Sequence, residues 1–252
     1  MDITFVTGTA GAGKSLLTQA LKNWYVSRGE DAIAVNLDPG VVTLPYEPDV
    51  DIRESIDLQE IMDSYRLGPN GALVLAADMI ATRLAEIQED IDSYRPEYVI
   101  VDTPGQTELF AFRESGEYIV KESKADFKVL LFLLDPFLGN TPVNYLSMIL
   151  LSASVGLRMS VPRISVLTKR DIAKEEVRQM VEWSKNSAAF ESALASTKDS
   201  DLYVLHSDLF RSLRKLSFGA DVYPVSSVTQ EGMIALVGEI ARLGRGGEEL
   251  TD

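Results

Sequence analysis

Cysteine is absent from the 252-residue chain, and histidine occurs once, at His206. Without thiols there is no disulfide, thiolate zinc site, iron–sulfur cluster or cysteine nucleophile, and one isolated imidazole builds no transition-metal centre. His206 therefore reads as structural or solvent-facing, and only hard, oxygen-ligated metals remain as candidates. Positive charge is also scarce. The 24 lysines and arginines face 38 acidic residues, a formal charge of −14, whose field repels polyanions, so neither direct nucleic-acid binding nor adhesion to an anionic membrane is expected. No apolar run reaches the roughly 18 residues of a membrane span. The opening Met1-Asp2-Ile3-Thr4-Phe5-Val6-Thr7-Gly8 lacks the basic start of a signal peptide. The expected compartment is the cytoplasm. Low complexity is confined to Gly244 to Asp252, rich in Gly and Glu, which reads as a disordered tail.

Between these absences the chain alternates two periods. Short β-branched runs occur at Ile3 to Thr7, Ala32 to Leu37, Tyr98 to Asp102, Val129 to Asp135, Arg163 to Thr168 and Val222 to Val225. Several end at a polar residue followed by Gly or Pro, the punctuation of strands. Helical spacing fills Leu16 to Ser27, Gly71 to Tyr94, Leu109 to Lys124, Pro142 to Leu157, Glu175 to Ser184 and Glu231 to Leu243. The alternation predicts an α/β fold, a mostly parallel sheet flanked by helices. Ile172 to Gly219 exceeds a usual crossover and predicts a helical insertion before the last strand. In such a sheet, motifs following the strand ends converge on one crevice.

Five of these motifs carry chemistry. After the first strand stands Gly8-Thr9-Ala10-Gly11-Ala12-Gly13-Lys14-Ser15, a full G-x-x-x-x-G-K-[ST] match between a strand and a helix. Its backbone N–H groups and the helix dipole suit phosphates, so Gly8, Gly11, Ala12, Gly13, Lys14, Ser15 and Leu16 are the candidate phosphate-binding residues. Lys14 is placed to bridge β- and γ-phosphates and Ser15 to ligate Mg²⁺. The apolar run Tyr98 to Val101 then delivers Asp102 in Asp102-Thr103-Pro104-Gly105-Gln106, as a second magnesium carboxylate requires. Gly105 is a candidate N–H donor to the γ-phosphate and Gln106 a candidate water-orienting amide. Asp38, in Asn36-Leu37-Asp38-Pro39-Gly40, is a candidate to polarise the attacking water or join the magnesium site; alone, the tripeptide reads as a turn.

The remaining two motifs concern the base. Thr168-Lys169-Arg170-Asp171 is similar to the [NT]-K-x-D box that reads guanine. Guanine offers N1–H and N2–H₂ donors to the Asp171 carboxylate, and adenine offers neither. Lys169 is expected along the base plane. Pro224-Val225-Ser226-Ser227 resembles the box whose backbone N–H reads guanine O6, which makes Ser226 and Ser227 candidates. These features favour GTP over ATP and water over a separate phosphate acceptor. An ATPase or a small-molecule kinase using the same cradle remains the alternative.

With the boxes in this order, Gly68-Pro69-Asn70 falls between Asp38 and Asp102, and nearly the whole chain resembles the GPN-loop GTPases in their archaeal-type homodimeric form. The resemblance implies a P-loop NTPase domain over residues 1–243, with GTP as substrate and GDP as product. It also implies a homodimer in which Asn70 reaches the partner's active site, so that Asp38, Gln106 and Asn70 surround the lytic water. A nucleotide-driven switch with a protein client in complex assembly follows from the same resemblance. By local spacing alone, Gly68-Pro69-Asn70 is a helix stop and start, Gly ending one helix and Asn capping the next. Leu73, Ile80, Leu84, Ile87 and Ile91 fit one helical face, as core or dimer contact.

Other features read as structure. Glu47 to Asp51 lacks the Gly and terminal Glu of a calcium loop and is expected as a solvated segment near the nucleotide. Trp24, Tyr25, Trp183 and Phe210 read as core aromatics. Arg211-Ser212-Leu213-Arg214-Lys215 reads as a solvated helix face.

Overall fold

The computed structural model describes residues 1–196, 202–216 and 221–246. Seven strands form one sheet in the order β3-β2-β4-β1-β5-β6-β7, and every pairing is parallel. They span β1 (Asp2–Gly8), β2 (Ala32–Asn36), β3 (Val50–Asp51), β4 (Tyr98–Asp102), β5 (Phe127–Leu134), β6 (Arg163–Leu167) and β7 (Val222–Pro224). The central strand β1 pairs Asp2 with Tyr98 on one side and with Phe127 on the other. The chain thus leaves β1 toward opposite sheet edges, and this reversal opens the crevice at the carboxyl ends.

Both faces of the sheet are covered, so the strands are apolar on both sides. In β5, Leu130, Phe132 and Leu134 enter one core, while Val129, Leu131 and Leu133 enter the other. The second core is closed by α1 (Lys14–Val26), through Leu17, Leu21, Trp24 and Tyr25, and by α11 (Met233–Gly244), through Leu236 and Ile240. The larger core lies under α2 (Leu58–Tyr65), α3 (Pro69–Thr82), α4 (Leu84–Tyr94), α5 (Thr107–Ala111), α6 (Glu114–Glu122), α7 (Pro142–Met159), α8 (Lys174–Lys185), α9 (Ser187–Ala195) and α10 (Tyr203–Lys215).

Several expectations change at this level. The sheet is wholly parallel, and β3 is an additional edge strand inside the segment read as a solvated acidic loop. Asp49 there accepts from Lys22 Nζ at 2.6 Å and Ala34 N at 2.7 Å, and Asp51 holds Arg53 and Asn36. These carboxylates fasten the sheet edge. Gly71 to Tyr94 is two helices, broken at Arg83 (φ −99°, ψ 10°) without Pro or Gly; the break lets Ile87 and Ile91 pack into the core beside β3. Leu109 to Lys124 is likewise two helices. They cross where Gly116 lies so close to Phe110 that a Cβ would fall 1.8 Å from its carbonyl oxygen.

The segment between β6 and β7 is helical as expected, although 197–201 and 217–219 of it lie outside the described residues. Its helices join the main core. Phe190 and Phe210 stack at 3.8 Å, and Tyr145 of α7 reaches Trp183 at 5.6 Å, a packing arrangement that adds to plain area burial. The basic end of α10 is not simply solvated. Arg211 forks onto Glu191 at 2.7 and 2.8 Å, and Arg214 donates to Lys185 O at 3.1 Å. Of the expected tail, 247–252 lies outside the described residues, while Gly244 ends α11. Among the described residues no helix is long and apolar enough to cross a membrane.

Candidate functional site

The turn after β1 needs glycine for two separate reasons. At Gly8 (φ 147°) a Cβ would lie 2.8 Å from Leu133 O, so β1 and β5 approach too closely for a side chain. Gly11 (φ 75°) and Gly13 (φ 93°) have open space around them but left-handed backbones, which glycine adopts without strain. Gly13 is the N-cap of α1, so the helix's unpaired N–H groups and its positive dipole end face the turn. A cleft of about 520 Å³ opens here. It is lined by Gly11, Gly13, Lys14, Ser15 and Leu16, by Asp38 and Gly105, and by Thr43, Leu44 and Pro45 of a loop that crosses it. That loop is tied down by Gln19, which donates to Pro45 O at 2.6 Å.

Lys14 is folded into this turn and buried, donating to Gly8 O at 2.9 Å, Thr9 O at 3.0 Å and Gly105 O at 3.1 Å. Burial lowers its pKa, with Asp102 and Asp38 opposing the shift. The Gly105 peptide is held at both ends. Its carbonyl accepts from Lys14, and its N–H donates to Asp38 Oδ2 at 2.8 Å, while Gly40 N–H donates to Asp38 Oδ1 at 2.9 Å. Asp38 therefore occupies the N–H assigned to a γ-phosphate.

Asp102 is buried at the tip of β4 and is 1% exposed. Its Oδ2 accepts from Tyr46 Oη at 3.2 Å, while Oδ1 has no partner among the described residues. Burial pushes its pKa up to about 6, against the downward pull of the Ser15 and Tyr46 hydroxyls and of Lys14. A buried, unpaired carboxylate oxygen beside a hydroxyl is costly unless a cation or donor meets it. The donor set fits Mg²⁺, a hard ion that takes few protein oxygens and keeps water or phosphate for the rest. Among the described residues no group of three or more His, Cys, Asp or Glu forms a denser metal site. Tyr46 was not anticipated, because a lone tyrosine in a loop has no sequence signature.

The base-side motifs meet where β6 and β7 end. Thr168 is buried, and its hydroxyl lies 2.9 Å from Ala12 O and 3.3 Å from Leu134 O. Instead of reaching a base, it braces the phosphate turn against the end of β6. Lys169 has a left-handed backbone (φ 58°), and its ammonium is 2.7 Å from Asp135 Oδ2. The half-buried Asp171 carboxylate has no partner among the described residues. Ser226 N–H already donates to Glu231 O at 3.0 Å, whereas Ser227 N–H has no such partner. Of the two serine candidates, only Ser227 has its backbone donor free.

Asn70 and Gln106 do not line the cleft. Gln106 is exposed at the N-cap of α5 and makes no capping bond. At the other motif Arg66 (φ 53°) ends α2, Gly68 is the extended N-cap of α3, Pro69 is its first residue, and Asn70 sits inside the first turn. The local stop-and-start reading is thus corrected in detail: Arg66 stops the helix and Gly68, not Asn70, caps the next. Gly68, Pro69 and Asn70 are all exposed. One turn later Leu73 reaches Gly40, close to Asp38.

Residues 6–245 match a family model described as a conserved hypothetical ATP binding protein. A GPN-loop GTPase of Pyrococcus abyssi is 35% identical over 182 residues, covering 71% of each chain. GPN-loop GTPase 1 of Saccharomyces cerevisiae is 28% identical over 237 residues, covering 89% of this chain and 61% of that protein. This chain spans 48% to 65% of the length of four eukaryotic relatives of that kind. The crystal structure of a Pyrococcus abyssi GTPase in apo form superposes with a TM-score of 0.81 at 28% identity, over 98% of this chain and 96% of that one.

Proposed function

The chain belongs to the GPN-loop GTPase family, and from that membership and the site's geometry we propose that it hydrolyses GTP to GDP and phosphate, with Mg²⁺, as a homodimer. The observation that carries the reading is a cleft lined by Lys14 and Ser15, with the buried Asp102 beside them, together with the Asp171 carboxylate in the loop after β6, which has no partner among the described residues. The cleft suits a phosphate chain of any nucleotide. Asp171 selects, because a carboxylate accepts two hydrogen bonds from guanine and meets an acceptor in adenine. This is why GTP is preferred although the matching family model carries an ATP-binding description. An ATPase is the second reading, and that description is what favours it.

The phosphates lie along the N–H groups of Gly11 to Ser15, with Leu16 at the first turn of α1. Lys14 exchanges its carbonyl partners for β- and γ-phosphate oxygens, since an ammonium gains more from an anion than from a peptide oxygen. Ser15 and Asp102 would hold Mg²⁺, which when bound would supply positive charge beside the transferred phosphate. A γ-phosphate competes for Lys14 and for the Gly105 N–H, and so releases the Asp38 carboxylate toward the water. Asn70 supplies an orienting amide in trans, and Gln106, next to the cleft-lining Gly105 but outside the cleft itself, turns inward to supply the second. Asn70 is exposed on a first helical turn outside its own cleft, a placement that suits action in the partner's site. Phosphoryl transfer needs positioning and electrostatics, so no covalent nucleophile is required.

An Asn70 amide acting in the partner's site makes hydrolysis depend on the dimer's geometry and so couples nucleotide state to subunit arrangement, as a switch acting on a protein client in complex assembly requires. A cytoplasmic setting, where GTP is available, fits the substrate. Phosphate release from GTP with Mg²⁺, measured with mass by light scattering for wild type and Asn70→Ala, tests the reading. Dimeric wild type with magnesium-dependent turnover, reduced about tenfold or more in the variant with nucleotide binding intact, is expected from loss of one transition-state donor. A monomer indifferent to Asn70→Ala refutes the trans-acting amide.

A further inference from the structure

Lys169 is paired with Asp135, just past the end of β5, and a second carboxylate, Asp171, follows two residues along its own chain. Its ammonium takes Asp135 at 2.7 Å, and Asp171 has no partner among the described residues. The choice is built in. Asp135 is anchored: its Oδ1 accepts from Phe137 N–H at 3.1 Å, and its carbonyl accepts from Leu138 and Gly139 N–H at 3.1 Å each. Its side chain is 8% exposed against 27% for Lys169. Lys169 is anchored too, in a left-handed backbone whose carbonyl accepts from Ile172 and Ala173 N–H at 3.1 and 2.9 Å. A bulky residue adopts that backbone only where its surroundings hold it. The Phe137 ring, 5.6 Å from the ammonium, flanks the pair.

We propose that Asp135 is a specificity-determining positioning residue, which acts through Lys169 by keeping the ammonium off Asp171, so that the Asp171 carboxylate stays free to read guanine. The proposal rests on the guanine-reading assignment of Asp171. An ion pair is not needed to join β5 to β6, because those strands are already bonded along their length, from Leu130 with Arg163 to Leu134 with Leu167. Without Asp135, the ammonium of Lys169 is left with the Asp171 carboxylate two residues along its own chain. Once paired there, it would block the two acceptor positions that separate guanine from adenine.

The test is the equilibrium affinity for GTP and for ATP, by displacement of a fluorescent GDP analogue, with thermal unfolding of each variant alongside. Asp135→Asn keeps the acceptor for Phe137 N–H and removes the charge. It is expected to lower the GTP-over-ATP preference roughly tenfold, the scale of one hydrogen bond to a charged group. Asp135→Asn combined with Lys169→Met removes the misplaced ammonium and is expected to restore the preference to near wild type. A structural role for Asp135 would not be rescued in this way. An unchanged preference in Asp135→Asn, or a double variant as unselective as the single one, overturns the proposal. If Asp171→Asn also leaves a wild-type preference untouched, the guanine-reading assignment itself has failed; a response to Asp171→Asn without one to Asp135→Asn confines the failure to Asp135.

Discussion

Asp102→Asn should make the metal-free protein tolerate neutral pH better while destroying its activity. Asp102 is buried, with one carboxylate oxygen unpartnered, and its pKa is pushed up to about 6. The folded state therefore holds this proton more tightly than the unfolded chain, whose Asp titrates near 3.9. Between those values stability falls as pH rises, and above about pH 6 the whole penalty is present. Two pKa units correspond to about 3 kcal/mol. Asparagine removes the charge but buries an amide that lacks a ready acceptor, at about 1–3 kcal/mol. The net at pH 7.5 is a variant roughly 1 kcal/mol more stable than wild type, or a rise of about 2–4 °C in Tm for a domain of this size. At pH 5 the advantage should vanish or reverse. Thermal unfolding of both proteins in EDTA at the two pH values isolates the effect, because the background charge of the chain cancels in the comparison. A wild type that gains on the variant as pH rises from 5 to 7.5 would refute the reasoning.

Two further substitutions probe the contacts around the cleft. Asp38→Ala frees the Gly105 N–H now held at 2.8 Å, so affinity for a non-hydrolysable GTP analogue should rise relative to GDP by about tenfold while turnover falls, as read by calorimetry and phosphate release. Thr168→Val removes the hydroxyl 2.9 Å from Ala12 O; denaturant unfolding should show a loss of about 1–2 kcal/mol, and GTP and ATP binding should weaken together.

The phosphate half of the site was legible because its chemistry is main-chain chemistry at fixed spacing. Gly8, Gly11 and Gly13 mark the backbone the turn needs, and a run of apolar residues ending in Asp102 announces a strand that delivers a carboxylate. What escaped detection depends on partners far apart in the chain. Tyr46 meets Asp102 across 56 residues, and Lys169 meets Asp135 across 34; no local pattern encodes either pair. Thr168 reads as part of the guanine box because its position after a strand is visible in the sequence, whereas its neighbour Ala12 is not. The acidic run around Val50 was misread for a related reason. Two residues are too few to show a strand period, and the carboxylates look solvated until Lys22 and Arg53 are seen opposite them. Arg83 breaks a helix without the usual Pro or Gly, so periodicity ran through it. The role of Asn70 was legible only through resemblance, and it is tested by its own variant.

The central claim is that this site hydrolyses a guanine nucleotide chosen by Asp171. Its most direct test is magnesium-dependent phosphate release from GTP, ATP and xanthosine triphosphate, for wild type and Asp171→Asn. Xanthine carries a carbonyl where guanine carries its 2-amino group, so an asparagine amide can donate where the aspartate accepted. Wild type should favour GTP over both others by at least about tenfold, and Asp171→Asn should transfer the preference to xanthosine triphosphate. Equal turnover of GTP and ATP, unmoved by Asp171→Asn, would contradict it.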